Sequence, residues 1–113
     1  MEIIAHRGFW RKKTDQNTVS AFKLALNNCF GIETDIRDQN GHLVVSHDIP
    51  KKKLIRLSEL FSIYSLNSSN QTLALNIKAD GLQKELLKLL RRYDIKNYFV
   101  FDMSIPESIK YSK

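Results

Sequence analysis

Gly31-Ile32-Glu33-Thr34-Asp35-Ile36-Arg37-Asp38-Gln39-Asn40-Gly41-His42-Leu43-Val44-Val45-Ser46-His47-Asp48 is the stretch on which the reading of this chain turns. Its first half alternates, as a strand does. Glu33 and Asp35 are two apart, so in a strand they share one face. Two acids side by side repel each other, and a cation between them relieves the repulsion. A solvated strand face with chance charges is the competing reading. Asn40-Gly41 then supplies a hairpin turn, since glycine takes a positive φ without a Cβ penalty. Leu43-Val44-Val45 returns the chain and brings His47 back toward the acids.

The register of that hairpin matters. A two-residue turn at Asn40-Gly41 sets His47 opposite Thr34. Cross-strand partners share a face, so His47 then points away from Glu33 and Asp35. A three-residue loop with Gly41 left-handed shifts the register by one and turns His47 toward them. That loop is the expectation if His47 acts with the two acids. His42, at the turn, is expected in solvent.

Working outward, Ile3-Ile4-Ala5 is a short apolar strand that ends in His6-Arg7-Gly8. Asn17 or Thr18 caps a helix carrying Phe22, Ala25, Leu26 and Cys29 at i, i+3, i+4, i+7. Gly31 is the stop signal. His6-Arg7-Gly8, Asn17-Thr18, Glu33-x-Asp35, the Gly41 turn and His47-Asp48 together resemble the glycerophosphodiester phosphodiesterase family, in order and at fitting spacing. The resemblance is strong over residues 3 to 48 and weaker from 49 to 104. It implies the phospholipase-C-like phosphodiesterase superfamily and a TIM-type (β/α)8 barrel, of which this chain is the N-terminal half.

The remaining pattern fits that fold class. Leu57, Leu60, Phe61 and Tyr64 repeat the helical spacing, after a break at Ile49-Pro50. Residues 72–78 read as a buried strand. Asp80 and Gln83 form a capping box for a helix with Leu82, Leu86, Leu89, Leu90 and Tyr93, its last turn basic through Arg91 and Arg92. Residues 97–103 are another strand, and Ser104-x-x-Glu107 with Pro106 starts one more helix. Such alternation of strand and helix predicts an α/β fold: about four parallel strands, with a hairpin after the second. A whole barrel takes roughly 250 residues. The chain has 113, which bounds it to a single partial domain over residues 1–113.

The resemblance also assigns roles. His6 and His47 are the proton carriers, because imidazole titrates near neutrality. Arg7 grips the phosphate bidentately and Lys78 as a point charge. Glu33 and Asp35 bind Mg²⁺ or Ca²⁺. The family usually has Glu-x-Lys on the third strand, with the acid a further metal ligand; here Asn76-x-Lys78 stands there. An amide ligates through its oxygen but brings no charge, so affinity should fall. Asp102 could replace the lost carboxylate, or cap a helix or pair in a salt bridge. Asn17 supports the first loop or caps the helix. The implied activity is metal-dependent hydrolysis of a small-molecule glycerophosphodiester to glycerol 3-phosphate and an alcohol. The alternative is a truncated, inactive relative that binds phosphate or a partner protein.

Composition sets the limits. Hydrophobic content of 42% with 27% charged residues is ordinary for a globular chain. No apolar run is long enough to span a bilayer, and no signal peptide is expected at the N-terminus. A single cysteine, Cys29, excludes an intrachain disulfide and fits a reducing, cytoplasmic setting; burial in the helix is its expected place. The net charge of +6 gathers at Arg11-Lys12-Lys13, Lys51-Lys52-Lys53 and Arg91-Arg92. The first two clusters could steer an anionic substrate. No aromatic-interleaved basic stripe or nucleic-acid module is present, so nucleic acid is not the expected partner. Phe9 and Trp10 line the mouth of the site or pack. Half a barrel leaves two apolar strand edges open, at residues 2–7 and 97–103, and self-association through them is expected.

Overall fold

The computed structural model describes residues 2–48, 54–67, 70–103 and 111. The predicted Ile49-Pro50 break, the Lys51-Lys52-Lys53 cluster and the Ser104-x-x-Glu107 helix start lie outside the described residues. Among the described residues, five strands and three helices follow in order: β1 Ile4–His6, α1 Val19–Asn27, β2 Gly31–Gln39, β3 His42–Val45, α2 Leu57–Leu66, β4 Leu73–Ile77, α3 Gln83–Arg92 and β5 Tyr98–Phe101. One 3-10 turn, Lys13–Asp15, interrupts the loop after β1.

All five strands join one sheet. Its parallel path runs β1-β2-β4-β5, with β3 antiparallel to β2. This is the expected α/β order. β2 is the long central strand and bears neighbours on both sides. Its first residues pair β1 and its last pair β3. The Arg7 N–H donates to the Glu33 carbonyl and the Ser46 N–H to the Asp35 carbonyl. Carbonyls two apart on a strand point the same way, so β1 and β3 lie in line along one edge of β2.

The alternation of side chains sorts the sheet into two faces. Ile32 and Ile36 of β2 and Leu73, Leu75 and Ile77 of β4 face the helices. They form one buried cluster with Phe22, Leu26, Leu57, Leu60, Phe61, Leu86 and Leu90. Each fully buried Leu or Phe contributes about 1.5–3 kcal/mol relative to exposure. The other face carries Glu33, Asp35, Asn76 and Phe99. Among the described residues β1 pairs only β2 and β5 only β4, and Ile3, Ile4 and Phe99 are exposed.

Local differences from the sequence reading have local causes. α1 ends before Cys29, which takes φ 61° and is exposed, not buried in the helix. The Phe30 N–H reaches the Ala25 carbonyl and the Cys29 N–H the Leu26 carbonyl, a left-handed stop with Cys29 where glycine is usual. The same pair of bonds closes α3, with Asp94 at φ 52° and Ile95 buried. Gly31 is therefore not the stop. It opens β2, and a Cβ there would stand 2.6 Å from the Thr72 carbonyl oxygen. α3 starts after Leu82, with no side-chain cap at that position, two residues beyond the Asp80 cap expected. α1 does start as predicted, with the Thr18 hydroxyl accepting from the Ala21 N–H at 3.2 Å.

Candidate active site

The hairpin turns in two residues. Gln39 faces His42 and Ile36 faces Val45, and Asn40 and Gly41 sit at φ 51° and 80°, the paired positive values such a tight turn needs. The three-residue loop is not formed. His47 leaves the ladder, exposed, with its Nδ1 3.1 Å from Asp48 Oδ1 and its carbonyl accepting from Arg37 Nε at 3.1 Å. No hydrogen bond or ion pair joins it to His6, Glu33 or Asp35 among the described residues.

The other candidates converge where the parallel strands end, the usual place for chemistry in such sheets. β1 delivers His6 directly opposite Glu33, with His6 Nε2 3.8 Å from Glu33 Oε1. The chain then turns sharply. Arg7 and Gly8 are both left-handed, at φ 58° and 86°. Gly8 has no room for a side chain, since a Cβ would come 2.7 Å from Ala21 Cβ. The turn is held by Trp10 Nε1 donating to the His6 carbonyl at 2.9 Å, while Phe9 tilts against Phe30. Arg7 Nε lies 3.0 Å from Asp35 Oδ2. The angle makes this an ion pair and not an aligned hydrogen bond, and Arg7 Nη1 donates to Gln16 Oε1 at 3.3 Å.

Asp35 is almost wholly enclosed, its side chain 1% exposed. Asn17 Nδ2 donates to Asp35 Oδ2 at 3.1 Å, and Asn17 Oδ1 accepts from the Thr34 hydroxyl at 2.8 Å. Asn17 thus supports the loop and Thr18 caps the helix. Asn17 fills the edge of β2 between the end of β1, at His6 opposite Glu33, and the end of β3, at Val45 opposite Ile36. Across the sheet Asn76 pairs with Asp35 in register, and its amide hydrogen-bonds to the Glu33 carboxylate. Lys78 Nζ stands 3.9 Å from Asp35 Oδ1 and 3.3 Å from Asp102 Oδ2.

Burial, and next the charge of Asp35, push the Glu33 carboxyl above its ordinary range. His6, the Arg7 N–H and the Asn76 amide oppose the shift. Three oxygens here are buried without a donor: Glu33 Oε1, Asp35 Oδ1 and Asn76 Oδ1. Buried acceptors normally find partners. Hard oxygen ligands of this kind suit Mg²⁺ or Ca²⁺, so the residues present fit the implied cation. Two of the three are carboxylates. Among the described residues no three His, Cys, Asp or Glu gather as a metal cluster.

Arg37 was not singled out by the sequence reading. It continues the Glu33-x-Asp35 alternation by one step, which is the signal that marks it. Its guanidinium donates to the His47 carbonyl and, at 3.2 Å, to the Lys78 carbonyl, bracing two loops at once.

Solved structures share this architecture. A glycerophosphodiester phosphodiesterase from Agrobacterium tumefaciens str. C58 superposes with a TM-score of 0.75 at 20% identity, over 98% of this chain and 62% of that one. A protein assigned as a glycerophosphodiester phosphodiesterase, from Galdieria sulphuraria, gives 0.70 at 22% identity, over 89% of this chain and 56% of that one. The chain has the fold of the N-terminal part of such a barrel. It spans under two thirds of either structure. No family model matches the chain, and no curated protein matches its sequence. Among the described residues no helix is long and apolar enough to cross a membrane.

Proposed function

We propose that this site serves phosphodiester hydrolysis of the glycerophosphodiester type, with a divalent cation, Mg²⁺ or Ca²⁺, held by Glu33, Asp35 and Asn76. The observation that carries the reading is the trio of donorless oxygens on Glu33, Asp35 and Asn76, flanked by Arg7, Lys78 and His6. When bound, the cation would neutralise charge on the phosphate oxygens.

The chain's own residues do the rest. Arg7 and Lys78 supply cationic donors for the phosphate. His6 takes the proton of the attacking water, and Glu33, 3.8 Å away, favours the imidazolium that results. An oxygen–phosphorus bond forms, the ester oxygen–phosphorus bond breaks, and the departing alkoxide needs a proton. By the family resemblance His47 gives it. The products would be glycerol 3-phosphate and an alcohol, and the cytoplasm is the compartment proposed.

A second reading has its own support. His47 faces Asp48 and not the acids, and Asn76 brings no charge, which favours a module that binds phosphate or a partner without turning over. Glycerol 3-phosphate release, with and without EDTA, separates the two. Metal-dependent release that falls about 10²- to 10⁴-fold in His6→Ala and His47→Ala supports the hydrolase. Calorimetry tests the cation itself: binding abolished by Asp35→Ala and tightened by Asn76→Glu is expected, and equal binding by Asp35→Ala refutes the assignment.

A further inference from the structure

Lys78 lies between two carboxylates of different character. Asp35 Oδ1, 3.9 Å away, is buried and has no hydrogen-bond donor. Asp102 Oδ2, at 3.3 Å, belongs to a side chain 59% exposed, just past the end of β5. Coulomb attraction is stronger in the less solvated place, so Asp35 is the better attractor once distances are equal. The ammonium nevertheless stands nearer Asp102. Asp102 is itself left-handed, at φ 68°, a region that Asp and Asn enter more readily than other residues with a Cβ.

We propose that Asp102 is a positioning residue that holds Lys78 off Asp35. Without it the Lys78 ammonium closes the remaining gap and hydrogen-bonds to Asp35 Oδ1. That move has two consequences. Lys78 leaves the mouth, where a phosphate oxygen would meet it, and Asp35 loses the oxygen that a divalent cation would use. Among the described residues the proposed cation site has two carboxylates and the Asn76 amide, so competition from an internal ammonium is costly. Asp102 offsets it without ligating anything, by giving Lys78 a partner of its own. This rests on the cation reading of Glu33, Asp35 and Asn76.

The test is Mg²⁺ and Ca²⁺ calorimetry on the 113-residue chain in four forms: wild type, Asp102→Asn, Lys78→Met and the double variant. Asp102→Asn keeps a side chain that tolerates the left-handed backbone as Asp does, and Asp102→Gly, which removes the side chain altogether, is measured beside it. Both Asp102 variants should bind the cation about 10-fold more weakly, the usual cost of losing a residue that supports metal ligands. Lys78→Met should bind at least as well as wild type, and adding Asp102→Asn to it should change nothing, because no ammonium is left to restrain. Rescue of this kind separates positioning from a general loss of negative charge or of folding. An Asp102→Asn protein that binds like wild type overturns the proposal. So does an equal loss in the Lys78→Met background, which would make Asp102 a ligand. If wild type binds no cation, the cation reading fails first and the proposal with it.

Discussion

Asn17→Ala removes the side chain that ties the loop after β1 to the middle of β2. Three terms set its effect. The hydrogen bond from Asn17 Nδ2 to the Asp35 carboxylate, 3.1 Å long, has a charged acceptor and is worth about 2 kcal/mol. The Thr34 hydroxyl loses its acceptor, Asn17 Oδ1 at 2.8 Å. Thr34 is fully buried, so the orphaned donor costs about 1 kcal/mol. Alanine must also adopt the backbone of Asn17, at φ 57°, which adds about 1 kcal/mol. The bond from the Asn17 N–H to the Arg7 carbonyl survives the change. The expected loss is therefore about 4 kcal/mol, a large part of the stability of a small domain. In urea, with a slope of about 1.5 kcal/mol per molar, the midpoint falls by about 2.7 M. Asn17→Gly, free of the backbone term, should lose about 3 kcal/mol. Alanine costing under about 1 kcal/mol, or glycine recovering nearly all of the loss, would refute a clamp made by the side chain.

Glu33 gives a pH signature. Its carboxyl is raised above 4.5 in the folded protein, so the fold holds that proton more tightly than the unfolded chain does. Its contribution is most favourable below pH 4.5 and is lost as pH rises from there through the raised value. Glu2, lowered by its bonds to Thr72, acts oppositely and loses its contribution as pH falls below 4.5, so the Glu33→Gln difference isolates Glu33. Without metal, that variant should melt higher than wild type at pH 7, and equal melting would contradict the burial argument. Gly8→Ala puts a methyl 2.7 Å from Ala21 Cβ on a φ of 86°, and should cost about 3 kcal/mol in urea unfolding; a loss under about 1 kcal/mol would mean the loop gives way freely. Among the described residues the outer edges of β1 and β5 are unpaired and Ile3, Ile4 and Phe99 are exposed, which should drive self-association. Light scattering at low micromolar concentration should give more than the mass of one chain, and a dispersed monomer that unfolds cooperatively would count against it.

Short-range patterns are what the sequence carries plainly. The alternation of Glu33 and Asp35 put both acids on one face because a strand's period allows nothing else. Asn40-Gly41 announced the hairpin because few residue pairs accept two positive φ values. The spacing of Phe22, Ala25 and Leu26, and of Leu57, Leu60, Phe61 and Tyr64, marked the helix faces that now pack on β2 and β4. The strand-helix alternation fixed a parallel sheet, since parallel neighbours need a crossover.

Side-chain partners were decided elsewhere. His47 and Asp48 are adjacent, yet only the register of β3 on β2 turns His47 out of the site. Asn17 read equally well as a helix cap; it became a clamp because β1 stops at His6 and leaves the Thr34–Asp35 edge of β2 bare. Cys29 fell on the apolar spacing of α1, but the helix had already turned left-handed there, an event set by hydrogen bonds to Ala25 and Leu26. Lys78 and Asp102 each come one residue after a different strand, β4 and β5, and meet through the register of those two strands. A period of 2.0 or 3.6 residues dictates which face a residue joins, while the groups it meets there depend on elements far along the chain, and only the assembled sheet brings them within reach.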